Sequence, residues 1–297
     1  MVEFQSRSGL PHEHGLAWSA LTPAQRALLA TWQSLDPTGL CMATLQPLVD
    51  LAKAALTVTT CPEVLATQFP TMEGEQVEEV VGLARRLQVH RCTPSCTHLP
   101  GQGHGQQCKH HFPRPPSLLD LVARRPARGE EEWLEAVEGV QLRVQGMLRQ
   151  LEVGGHEEPV EALLHLLHQL GPAPAGLPGG GYNWCGVTVL PGEELTSLLQ
   201  LCGAMAATQA DTATLACYHL TLLTRRSPRF IPCRRVCEAW VATFNPWALL
   251  ALQANMEMDL LASPSAVARY ATKGSRQVSL VRAVAELRRR GGTGICR

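Results

Sequence analysis

The sequence predicts an α+β fold, a mostly helical chain with a small antiparallel β element near its start and a Cys/His-rich, zinc-binding-like insert. Three observations predict it. Capped stretches with apolar residues at helical spacing recur along the chain. An alternating stretch over 2–18 reads as a hairpin. Residues 90–117 lack any periodicity but hold three cysteines and five histidines.

Taken in order, VEFQ alternates, SRSG turns, and LPHEHGLAW resumes as a strand. His12 and His14 then share one strand face while Glu13 points away. Two imidazoles side by side can hold one divalent ion. LTPAQRALLATWQSL follows with Thr22 as cap and Pro23 at the first helical position, so it is a helix. The stretch 73–90 is another, acidic at its start and basic near its end, as the helix dipole favours.

The insert 90–117 cannot bury enough apolar area to order itself and needs the rest of the fold or a metal. Ligand spacing points to zinc held by His90, Cys92, Cys96 and Cys108, with His98, His110 and His111 competing for the fourth position. Beyond it, 129–153 is a long amphipathic helix and PVEALLHLLHQL a shorter one, whose His165 and His168 are expected to pack among leucines. GPAPAGLPGGG at 171–181 reads as a linker or surface loop. The last third is helical, ending in a short helix over 264–273 capped by Ser263, closed by Gly274 and carrying Tyr270 between Arg269 and Lys273. Five regions follow: 1–89, 90–117, 118–170, 171–181 and 182–297.

Composition limits the function. At 297 residues and 45% hydrophobic, the chain can form one large domain or two small ones. No apolar run approaches the roughly 18 residues that cross a membrane, and no basic-then-apolar leader opens the chain, so a soluble protein without a membrane partner is expected. Lysine and arginine number 26, as do aspartate and glutamate, so any affinity for nucleic acid rests on local patches. Those patches lie at 123–128, 225–235 and 287–297, and as charge runs they read as solvated faces. Of eleven cysteines, Cys41, Cys61, Cys185, Cys202, Cys217 and Cys296 are scattered and assigned to packing.

Four blocks, in order, resemble the replication initiator of Helitron-type transposons, a HUH nuclease. They are VEFQSRSGLPHEHGLAW; HRCTPSCTH with QQCKHHFPRPPS; FNPWALLALQANMEMD; and ARYATKGS. Together they span 2–275. The resemblance implies that 1–89 is the C-terminal part of a HUH nuclease core and that the protein is nuclear and acts on single-stranded DNA. It implies that His12 and His14, with Gln5 or alternatively Glu3 as third ligand, hold Mg²⁺ or Mn²⁺ against the scissile phosphate. Tyr270 becomes the nucleophile that forms a 5′-phosphotyrosine, and Arg269 and Lys273 steady the phosphate.

The chain departs from the family pattern in three ways. Many members place a second tyrosine four residues before the first, where this chain has Ala266. The turn carries one extra residue, which affects strand register. No phosphate-binding loop of a helicase is present, so the helicase is expected to be a partner absent from this chain. The runner-up expectation is therefore a degenerate, transposon-derived protein that binds zinc, and single-stranded DNA, without cutting.

Overall fold

The computed structural model describes residues 2–4, 14–15, 22–33, 40–93, 96, 108, 110–126, 129–151, 158–226 and 229–258. Within these the chain is α+β and mostly helical. Strands β1 (Val2–Phe4) and β2 (His14–Gly15) precede helices α1 (Pro23–Gln33), α2 (Met42–Lys53), α3 (Pro62–Gln68) and α4 (Gly74–Leu83). After β3 (Leu121–Ala123) come α5 (Glu131–Gln150), α6 (Pro159–Leu170), and a meander of β4 (Ala175–Gly176), β5 (Tyr182–Trp184) and β6 (Val187–Val189). Helices α7 (Glu193–Gly203) and α8 (Gln209–Leu223), strand β7 (Arg229–Ile231), helix α9 (Pro246–Leu252) and strand β8 (Met256–Met258) complete it. No helix among the described residues is long and apolar enough to cross a membrane.

Local chemistry explains the helix starts. Thr22 accepts from the Gln25 backbone at 3.2 Å while the Gln25 side chain accepts from the Thr22 backbone at 2.9 Å, a reciprocal cap that satisfies two otherwise orphaned N–H groups. Thr208 caps α8 and Asn245 caps α9 in the same way, each accepting from the backbone three residues on. Helix α4 ends in a π-helical turn at Ala84–Gln88, which turns Gln88 inward. The buried Gln88 amide donates to Ala254 O at 3.0 Å and accepts from Met256 N at 3.2 Å, fixing the entry to β8.

The three sheets are small and antiparallel. In the first, the order is β2-β1-β8, with Glu3 in register with both His14 and Glu257. The second pairs β3 with β7, Ala123 against Arg229. The third is β4-β5-β6. Part of the Gly/Pro stretch expected as a linker, Ala175–Gly176, is thus a strand of that meander.

The largest core surrounds α8, whose residues Ala213–Leu223 are all buried. Val137, Val140 and Val144 of α5, Leu163, Leu166 and Leu167 of α6, Leu198 of α7 and Trp184 of β5 pack in the same core. It runs from Leu121 to Ala239, across both sides of the 171–181 stretch. A second core joins α3 and α4 to Phe244, Leu249 and Met256. A third holds Trp32 and α2 against Val122 and Phe230, with Trp32 Nε1 donating to Ala123 O at 2.9 Å. Helix α6 buries its four leucines from Leu163 to Leu167 and leaves His165 and His168 exposed, so the expectation that these histidines pack inside is corrected: the leucines alone fill the inward stripe.

Polar groups inside α8 are matched. Tyr218 donates its hydroxyl to Pro116 O at 2.6 Å. His219 Nε2 accepts from Leu118 N at 3.1 Å, so its proton sits on Nδ1, which donates to Leu215 O at 2.7 Å. Burial pushes the His219 pKa down to about 4 from 6.5. As pH falls, the unfolded chain therefore takes up this proton first, and stability is lost between about pH 6.5 and pH 4, by roughly 3 kcal/mol. We predict that urea unfolding of His219→Gln lacks this component, so that the stability gap to wild type narrows as pH falls from 7 to 4. A gap that stays constant over that range removes the assignment.

Candidate metal centre and the convergence of the sequence motifs

The insert segment has few apolar residues of its own and is held by contacts with the chain around 239–243. His90 N donates to Trp240 O at 2.7 Å, and Arg114 N to Ala239 O at 2.8 Å. The His90 ring stacks on Phe112 with centroids 4.3 Å apart and lies parallel to Trp240 at 6.5 Å. Cys96, Cys108, Phe112 and Ala242 form a small buried cluster against Trp240.

Within this setting one donor atom each from His90, Cys92 and Cys108 lie within 4.8 Å of one another, and the group can hold a metal ion. Cys108 Sγ is 3.2 Å from His90 Nε2. A tetrahedral ion bound at about 2.3 Å from sulfur and about 2.0 Å from nitrogen requires donors at separations of this order. Burial, aided by the neighbouring Cys108 and Cys96, pushes the Cys92 thiol up to about 11. The Cys92 thiol thus stays protonated by itself, whereas a soft divalent cation would reverse that preference and draw off the proton.

Three of the four residues expected from ligand spacing come together here. Cys96, the remaining one, stands outside the group of three; it is buried beside Cys108, with its sulfur 3.5 Å from Thr93 Oγ1. Of the alternative donors, His110 sets its ring edge-on to His90 at 5.6 Å. His111 has a φ of 60° and a pKa lowered by burial first and then by Arg229, Arg114 and Arg225. His98 lies outside the described residues.

The hairpin residues divide in the same way. His14 belongs to β2, paired with β1 as the alternation of 2–18 implies. Gln5, His12, Arg269, Tyr270 and Lys273 lie outside the described residues. The third strand, β8, comes from the ANMEMD block, so a row across the sheet holds positions 14, 3 and 257. Arg114 of the FPRPP block forms an ion pair with Glu257 and donates to Thr243 Oγ1 at 3.4 Å. Arg114 and Glu257 were not singled out from the sequence. Their signal was present only as membership of two motif blocks, and nothing local links residues 143 apart.

The chain matches no protein-family model, no curated protein and no solved structure. The resemblance to Helitron initiators therefore rests on the motif blocks themselves. We predict that the chain binds one equivalent of Zn²⁺ and that Cys108→Ser weakens this by more than about tenfold in a chelator competition, since the mutation removes a thiolate ligand. Equal affinity in the variant would exclude the three-donor group.

Proposed function

We propose that this chain is the DNA-cutting portion of a Helitron-type replication initiator, a nuclear protein that nicks and joins single-stranded DNA through Tyr270. The observation that supports the reading is the convergence of motif blocks: strands of the VEFQ–PHEH block and of the ANMEMD block form one three-stranded sheet, and Arg114 of the FPRPP block pairs with Glu257 of that sheet.

In this reading the Tyr270 hydroxyl loses its proton and attacks the scissile phosphorus. The P–O3′ bond breaks, leaving a 5′-phosphotyrosine and a free 3′-OH, and the reverse attack by a 3′-OH rejoins a strand. Because the phosphotyrosine conserves the phosphodiester energy, this step needs no ATP. His12 and His14, with Gln5 or Glu3, would hold Mg²⁺ or Mn²⁺, which when bound withdraws charge from the phosphate. Arg269 and Lys273 orient the phosphate by charge. His90, Cys92 and Cys108, with Cys96 or a neighbouring histidine as fourth donor, would hold a Zn²⁺ that stabilises the insert rather than taking part in chemistry. Unwinding falls to a helicase domain that these 297 residues do not include.

One observation favours a second reading. Ala266 stands where a two-tyrosine member has its partner nucleophile, so strand exchange by alternating tyrosines is lost. A non-cutting protein that binds zinc and single-stranded DNA is the form this loss would take if Tyr270 were also idle.

We predict that the purified chain, incubated with a labelled single-stranded oligonucleotide and Mn²⁺, gives a covalent protein–DNA adduct. The adduct is absent in Tyr270→Phe and reduced at least about a hundredfold in His12→Ala, since the metal-assisted step contributes several kcal/mol. Folded wild-type protein that yields no adduct would overturn nicking and leave the second reading.

A further inference from the structure

Two of the three arginine-rich patches of the sequence meet in the fold. Pairing of β3 with β7 sets Ala123 against Arg229, and the adjoining segments continue the contact: Arg124 bridges Thr224, and Arg225 N donates to Arg124 O at 2.9 Å. Residues 123–124 thus lie beside both 224–225 and Arg229.

The arginines there are not equivalent. Arg124 pairs with Glu130 at 3.1 Å and Glu194 at 3.6 Å. Arg226 holds Glu138 through two hydrogen bonds, at 2.7 and 2.8 Å. Arg225 has no carboxylate paired with it among the described residues, and its buried Nε meets no acceptor. Arg125 Nε, on the adjacent segment, is likewise buried without an acceptor. Glu138 acts on Arg225 only through space, its oxygens being engaged by Arg226.

A buried guanidinium N–H without an acceptor is costly unless something supplies one, because buried polar groups are tolerated when hydrogen-bonded. Burial, reinforced by Arg229, lowers the Arg225 pKa to about 10, so it remains charged at neutral pH. The planar fork of arginine donors matches two oxygens of a tetrahedral oxyanion.

The geometry points to a phosphoryl-binding site centred on Arg225, with Arg229 lending charge. The site takes a single phosphate group, either free or as part of a nucleic-acid backbone. It does not rest on the nicking activity, since phosphate binding here is measured without Tyr270 or a divalent metal.

The test is thermal unfolding and calorimetric titration of the full chain with inorganic phosphate, at constant ionic strength against chloride and with chelator present. Saturable stabilisation by phosphate is expected, weakened more than about tenfold in Arg225→Gln and by less in Arg225→Lys, which keeps the charge but loses the fork. If Arg225→Gln does not fold, the lysine variant decides alone. Phosphate that acts no differently from chloride, or that binds either variant as tightly as wild type, would overturn the site. A short oligothymidylate distinguishes the sources. If it competes with phosphate and loses affinity in the same variants, the natural occupant is a backbone phosphate. If it does neither while phosphate binding persists, the site serves a free phosphate.

Discussion

The neutral imidazole of His219 is the constraint on which much of the structure depends. Helix α8 is buried on every side from Ala213 to Leu223, so each polar atom there must find a partner within the core. Tyr218 and His219 find theirs in Pro116 O and Leu118 N, two backbone groups of the segment that leads out of the Cys/His insert. That segment is otherwise irregular, and it has no strand or helix of its own between Arg114 and Leu121. Two side chains from the best-buried helix therefore set where it runs. Upstream of the anchor lie Phe112, stacked on His90, and Arg114, paired with Glu257. Between the two anchored groups, Ser117 pairs with Arg234 across an isolated bridge, and the chain then enters β3.

A second polar knot holds the other side. The buried Arg234 donates to Glu238 O at 2.7 Å and Val241 O at 2.5 Å. The Glu238 carboxylate accepts from Thr59 Oγ1, Thr60 N, Arg235 N and Arg235 Nη2. This closes the turn at 234–241 and ties it to the loop before α3. The turn carries Trp240, whose carbonyl receives the His90 N–H. The three-donor group is thus held from both sides by buried hydrogen bonds, although the insert itself has little apolar area to contribute.

Much of the helical architecture was legible because it rests on local rules. Thr22 and Pro23 mark a start, and the spacing of Val137, Val140 and Val144 marks the inner stripe of α5. Helix α8 was visible only as part of a helical region, since a helix buried all round has no polar face for periodicity to detect. His165 and His168 misled because leucines flank them in sequence, whereas the leucines at 163, 164, 166 and 167 already fill the inward face. For the site, ligand spacing foresaw the meeting of His90, Cys92 and Cys108, which depends on a short stretch of chain. It did not foresee Arg114 with Glu257 or Arg225 beside Arg124, because those pairings follow from strand contacts between distant segments.

The three-stranded sheet has a consequence for how the chain is made. Strand β1 lies between a near neighbour in sequence, β2, and β8, which begins at Met256. At synthesis rates of about 5–20 residues per second, roughly ten seconds to a minute separates the appearance of Val2 from that of its outer partner. Throughout that interval one edge of β1 presents unpaired backbone groups to the surrounding solution, the form of surface that recruits other strands. Closure of this sheet is therefore a late event in biogenesis, and a nascent chain stalled before Met256 would be a natural client for chaperones that shield open strand edges.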